Sequence, residues 1–377
     1  MSKTMTKFLA GACILCCLSV SVAAQGLFPS ASQERTAREH GKYENALTSV
    51  ERYQSVRFMT VADDLDLSEG DISALLFDRL TKWNDANRAI AEKVLAMGAR
   101  KGLGVEALHA RGITGKGVSV AIIDDLLCVD HPEFSGRVVE VGRFGYEAGE
   151  GEGSFHGPAV ASLLAGENLG TAPDVKVYYC AASAEDGDSL YYAEALERII
   201  EFNRTLGEAD KIRVVSVSAA PSGAGSPFEK NLESWDEAVR KASLEGILVL
   251  DCTEDNGFIY PGYCDYRDPD DFEAFKSGFP GGKSRPTDGV GLCAPCSRRT
   301  FAEEFYRGEF SYAYAGKGGL SWGIPFAAGV CALAWQVNPR ISAARMREML
   351  IETAYVTKDG VRVINPAALV GLAGKSD

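Results

Sequence analysis

From about Gly104 onward, short apolar runs alternate with longer stretches of helical period. The apolar runs are Val118–Ile123, Val175–Cys180, Val214–Val217 and Ile247–Leu250. Helical patterns cover 158–165, 188–206 and 229–244, and the tail predicts two more helices over 321–336 and 342–354. Strands that are apolar on both faces, separated by helices, predict a largely parallel sheet covered on each side. The expected fold class is therefore α/β, a three-layer α/β/α domain over 104–377. In such sheets functional groups gather at the carboxyl ends of the strands; Asp124, Ser218 and the stretch Asp251 to Asn256 fall there. Residues 251–300, with Pro, Gly and the acidic DYRDPDDFE, read as a loop-rich surface insertion.

The pattern before Gly104 is different. Ser68 and Asp71 have the spacing of a capped helix start. Behind them Leu76, Leu80, Trp83, Ile90, Val94 and Met97 recur at spacings of three, four and seven. That spacing predicts one long amphipathic helix and no strand, so 25–103 is a helical N-terminal segment, either a propeptide or an extension docked on the main domain. At the very start, Lys3 and Lys7 precede the apolar run FLAGACILCCLSVSVAA. A basic start, a short apolar core and small residues at Val22 and Ala24 describe a secretory signal peptide over 1–24. The run is shorter than the ~20 residues a membrane span needs. Lipid attachment at Cys13 fits less well, because Ala-Gly-Ala precedes it. Export, to the medium or the periplasm, and no stable membrane association are expected.

The formal net charge of −13 argues against a nucleic-acid partner, which needs a basic face. Of ten cysteines, three lie in the leader; Cys128, Cys180, Cys252, Cys264, Cys293, Cys296 and Cys331 remain. In an oxidising compartment some should pair. The favoured expectation is a local disulfide in Cys293-Ala-Pro-Cys296, or bonds from that pair to Cys252 and Cys264. A redox CxxC or half a zinc site is the weaker reading.

Candidate chemistry centres on Gly319-Leu-Ser-Trp-Gly323, which has the G-x-S-x-G form of a nucleophile elbow. An α/β-hydrolase places its histidine after the serine. All four histidines, His40, His109, His131 and His156, precede Ser321, so a lipase or esterase site is excluded. A serine nucleophile needs a base within reach, and the base needs an orienting carboxylate. AIIDD ends a strand with Asp124, and SFHGPAVASLLAG sets His156 at the mouth of a helix, with Pro158 where a first turn tolerates it. A lone serine before a helix is usually a cap, and a lone histidine there is usually structural. The order Asp, His, Ser outweighs those readings and is the subtilisin order.

At this point the chain resembles the subtilases. GKGVSVAIIDD with VDHPEF resembles the family's aspartate motif, HGPAVASLLAGENLGTAPDVKVYYCAA its histidine motif, and GLSWGIPFAAGVCALAWQVNP its serine motif. Together they cover roughly 104–360. The resemblance implies a subtilisin-like fold and a serine endopeptidase with Ser321 as nucleophile, His156 as general base and Asp124 as its orienting carboxylate. It implies that Ser218, Ala219 and Ala220 pair with the backbone of a protein or peptide substrate. His131 is given a structural role. The oxyanion asparagine, counted from Gly246, falls on Asp255, and a one-residue shift assigns it to Asn256. An ionised aspartate has no proton to donate there. Asp125-Leu126 and Pro158 also depart from the usual pattern without removing a catalytic group. These departures motivate an alternative, a catalytically impaired peptide-binding protein of the same fold. No cofactor or metal is required for the chemistry; structural calcium is an option, with oxygen ligands from acidic loops such as 265–273.

Overall fold

The computed structural model describes residues 46–134, 136–146, 153–253, 258–282 and 290–375. The leader, Asp255 and Asn256 lie outside the described residues.

Five parallel strands form the central sheet, in the spatial order Val138–Phe144, Lys176–Ala182, Ser119–Asp124, Ile212–Val217, Leu248–Leu250. Four of them are the apolar runs of the sequence, and Val138–Phe144 is an added edge. Its half-exposed residues, including Glu140 and Arg143, carry no continuous apolar signal. Ser119–Asp124 is buried at every position and lies in the middle, with Asp124 opposite Ala181. The chain leaves it toward one edge first and toward the other later, so its carboxyl end is a topological switch point, where crevices open.

Helices cover both faces. Ser189–Thr205 and Leu232–Leu244 lie on one, burying Leu196, Ile199 and Trp235 against Ala121, Ile123 and Val215. His156–Ala165 and Leu320–Val337 lie on the other, with Val160, Leu164, Phe326 and Val330 against Val120 and Ile122. The second of these is long and apolar enough to cross a membrane, but its residues from Trp322 to Trp335 are buried inside the protein. The three-layer α/β/α arrangement expected from the sequence is thus present.

One expectation is refined and one corrected. The stretch 251–300 is loop-rich as expected among its described residues, but its short strands Ile259–Tyr263, Lys276–Ser277 and Leu292–Pro295 join Arg362–Val363 and Tyr355–Val356 in a second five-stranded sheet. The N-terminal segment is not one long helix. The capping box at Ser68 exists, but its helix ends at Ile72. Leu76–Asp78 is then a strand, paired antiparallel with Ser311–Ala315, and the helix proper runs Asp85–Gly98 from an Asn84 cap. Asp78 enforces the break, because its carboxylate accepts from the N–H groups of Leu80 and Thr81 at 3.0 and 2.9 Å. Such side-chain to backbone bonds compete with a helix.

This segment is bound tightly to the rest. Leu76–Asp78 completes a sheet with Arg299–Glu303 and Ser311–Ala315. Arg57 pairs with Asp78 at 3.4 Å and also with Glu303, both carboxylates being buried. Its guanidinium lies 4.3 Å from the ring centre of Phe155, the residue before His156.

All seven described cysteines are free, so the expected disulfides are not formed. Cys293 sits in a buried strand with its thiol donating to the Pro261 carbonyl at 3.6 Å. Cys296 faces the serine helix, where a Cβ on Gly323 would lie 2.5 Å from its sulfur. The two thiols serve packing rather than each other, and burial pushes both up to about 12, which keeps them inert.

Candidate active site

Three elements converge at the carboxyl end of the central strand. Asp124 is its last residue and is buried. His156 is the first residue of its helix, and every later residue of that helix is buried, so the core fixes the ring's approach. Gly157 has no room for a side chain: a Cβ would meet the Leu126 carbonyl at 2.6 Å and the Tyr179 hydroxyl at 2.7 Å. That close approach brings His156 Nδ1 to 2.6 Å from Asp124 Oδ1. The His156 side chain keeps 28% exposure, against 2% for Asp124.

Burial lowers the proton affinity of His156, but the charge and hydrogen bond of Asp124 outweigh it and hold its pKa above the ordinary value. Asp125 adds to this. Its own carboxyl is pushed up to about 6, mainly by burial and then by the neighbouring Asp124 charge. Tyr146 donates its hydroxyl to Asp125 at 3.1 Å, and Tyr179 donates to the Asp125 carbonyl.

Ser321 lies in the first turn of Leu320–Val337. Gly319 at the cap has no side chain to satisfy the first-turn N–H groups, which leaves a positive helix end beside the hydroxyl. Gly323 lets this turn press against Cys296 and Ala294; the pattern of glycines around Ser321 reflects packing, not an elbow. The Ser321 hydroxyl donates to the Ser218 carbonyl at 3.1 Å, and the Ser218 hydroxyl donates back to the Ser321 carbonyl at 2.9 Å. In this rotamer it does not bond to His156. The next residue, Trp322, lies tilted against the His156 ring with centroids 5.4 Å apart and is held by Phe301 at 4.7 Å.

Ser218, Ala219 and Ala220 follow the strand Ile212–Val217 directly. The Ala219 carbonyl accepts from Cys252 N–H at 2.8 Å and the Ala220 carbonyl from the Ser226 hydroxyl at 2.6 Å. Asp251 is buried, and its carboxylate takes the Trp235 indole N–H at 2.9 Å and the Thr253 N–H at 2.9 Å, a structural use. His131 is also structural: it is fully buried between Phe134, Phe310 and Tyr312, and burial lowers it to about 4. In 265–273, Asp270 pairs with Arg100 and Gly104 N–H, and Asp265 and Asp271 accept nearby N–H groups. Those acids are engaged with protein donors, and no metal-ligand trio gathers there among the described residues.

Sequence reasoning missed the aromatic setting. Trp322 was visible inside GLSWG, yet nothing in one sequence says which ring it covers. Arg57, which braces Phe155, is a hundred residues upstream and gave no signal.

A family model described as the subtilase family matches residues 115–257. The M-protease of Shouchella clausii (strain KSM-K16) is 26% identical over 309 residues, covering 77% of this chain and 73% of that protein. Subtilisin BL of Lederbergia lenta is 28% identical over 265 residues, covering 66% of this chain and 87% of that protein. Among solved structures, the prenylagaramide maturation protease PagA superposes with a TM-score of 0.51 at 15% identity, covering 73% of this chain and 99% of that one. The PatG macrocyclase in complex with peptide gives 0.53 at 16% identity over 72% of this chain and 96% of that one, a likeness of fold. With its strand order, its matched model and these relatives together, the chain has a subtilisin-like fold and is similar to the subtilase family of serine proteases.

Proposed function

We propose that this protein is an exported serine endopeptidase that cleaves peptide bonds through an acyl-enzyme on Ser321. The observation that carries the reading is the 2.6 Å bond from His156 Nδ1 to Asp124 Oδ1, beside a helix that begins with Ser321. Asp124 holds the imidazole in the tautomer with the proton on Nδ1, leaving Nε2 free to accept the serine proton. His156 takes that proton as Ser321 Oγ attacks the carbonyl carbon, then returns it to the departing amine. A water deprotonated by the same nitrogen hydrolyses the ester.

An extended peptide along Ser218–Ala220 would offer its own N–H to the Ser218 carbonyl. The Ser321 hydroxyl then loses that acceptor and turns to His156, so substrate binding would set the nucleophile. Charge on the developing oxyanion is met by the N-terminal N–H groups of the serine helix and by the Asn256 amide. No cofactor or metal takes part in these steps. The ordinary substrate is a protein or peptide, and no nucleic acid or stable membrane partner is part of the reading.

The second reading, an impaired peptide-binding protein, is favoured by the Ser321 hydroxyl being turned to Ser218. A fluorophosphonate probe separates the two. Covalent labelling of the mature protein, abolished in Ser321→Ala, supports the enzyme; a folded wild-type protein that binds peptides but takes no probe supports the alternative.

A further inference from the structure

Cys128, Asp130 and Glu304 each offer a ligand atom within 4.8 Å of the others. Cys128 and Glu304 are buried, at 2% and 0% exposure, while Asp130 is partly open and gives the cluster a route to solvent. One Glu304 oxygen accepts from Gly308 N–H at 2.7 Å; the other is buried with no hydrogen-bond partner, as is Oδ1 of Asp130. The nearest cation, Arg307 Nε, is 4.0 Å from that Asp130 oxygen. Leaving a buried carboxylate oxygen unsatisfied is costly, so something other than protein is expected to fill the space between these groups.

We infer that Cys128, Asp130 and Glu304 form a binding site for a borderline divalent cation of the Zn²⁺ type. A thiolate with two carboxylates suits Zn²⁺, which accepts sulfur and oxygen donors and commonly has four ligands, so one position is left for water. Calcium and magnesium prefer all-oxygen sets, and the sulfur selects against them. Binding releases the thiol proton to solvent and forms a metal–sulfur bond. The metal fastens the loop after Asp124 to the segment that follows Arg299–Glu303. Gly153 closes the site from above: a Cβ there would lie 3.2 Å from Cys128 Sγ and 2.1 Å from the Glu304 carbonyl. Its N–H is bonded to the Phe305 carbonyl at 2.8 Å, three residues before His156. The ion is therefore a structural clamp beside the catalytic loops, separate from the hydrolytic chemistry.

The test uses the untagged full chain, stripped with a chelator, dialysed, and titrated with Zn²⁺ and, in parallel, Co²⁺. The expected result is about one Zn²⁺ per chain with a rise in Tm, and a thiolate-to-Co²⁺ charge-transfer band in the near ultraviolet. Uptake and band are lost in Cys128→Ser and Glu304→Gln and kept in His156→Ala. No uptake by the wild type overturns the site. So does uptake unchanged in folded Cys128→Ser, or uptake lost only in His156→Ala, which would place the ion at Asp124, Asp125 and His156. Should both ligand variants fail to fold, alkylation of the wild type decides: Zn²⁺ should slow iodoacetamide labelling of Cys128, and equal labelling with and without it overturns the proposal.

Discussion

His156 is positioned by three parts of the site at once. Asp124 holds one nitrogen, Trp322 covers a face, and the first buried turn of its helix fixes the direction of the ring. The pH dependence follows from its charge environment. A general base works only when neutral, so kcat/KM rises as His156 loses its proton. Because Asp124 and Asp125 hold its pKa above the ordinary value, the acid limb should have its midpoint above the ~6.5 of a free histidine. Asp125→Asn removes one negative charge near the imidazolium and should move that midpoint to lower pH. A wild-type midpoint at or below the free value, unmoved in Asp125→Asn, would contradict this electrostatic picture. Asp124, His156 and Ser321 were legible in the sequence because each stands at the end of an element that its own local pattern predicts. Trp322 on His156, and Tyr146 on Asp125, were not, since such contacts join positions that no local period relates.

Element by element, what the sequence showed depended on burial. Strands apolar on both faces, such as Ser119–Asp124, announce themselves. Val138–Phe144 at the sheet edge is half exposed and mixes charge with apolar residues, so its pattern is ambiguous. The apparent helix through Leu76 and Trp83 failed for another reason: Asp78 turns the chain, and Leu76–Asp78 finds a strand partner more than two hundred residues away. The same neighbourhood carries a mutational prediction. Arg57 is the cation facing the buried Asp78 and Glu303, and it also stacks on Phe155. Removing one partner of a buried ionic group typically costs about 3–5 kcal/mol. Arg57→Ala should lower stability by an amount of that order in denaturant unfolding. A loss under ~1 kcal/mol would show that the cluster contributes little.

For the molecule as a whole, residues 46–103 are built into the same fold as the central sheet. They supply an outer strand and a partly buried cation, and the helix Asp85–Gly98 packs against the sheet they complete: Thr300 donates its hydroxyl to the Leu95 carbonyl at 2.6 Å. Removing them would strip Ser311–Ala315 of one of its two pairing partners and leave Glu303 without Arg57. We therefore expect the mature protein to keep these residues, with any processing site upstream of Ala46. Intact-mass measurement of the exported form checks this; a stable mature chain starting near Gly104 would refute it. The predicted parallel sheet and the order of the three motifs were enough to carry the resemblance to the subtilases from sequence. The fit of the N-terminal segment was not, because it rests on pairings between distant parts of the chain. The central claim, that Ser321 is a nucleophile activated by His156, is tested most directly by peptide hydrolysis. Purified wild type and Ser321→Ala are compared on a peptide library, with products read by mass spectrometry. The account predicts turnover by the wild type and a fall of at least about 10⁴-fold in the variant. Equal turnover by the two proteins, or none by a folded mature wild type, would contradict it.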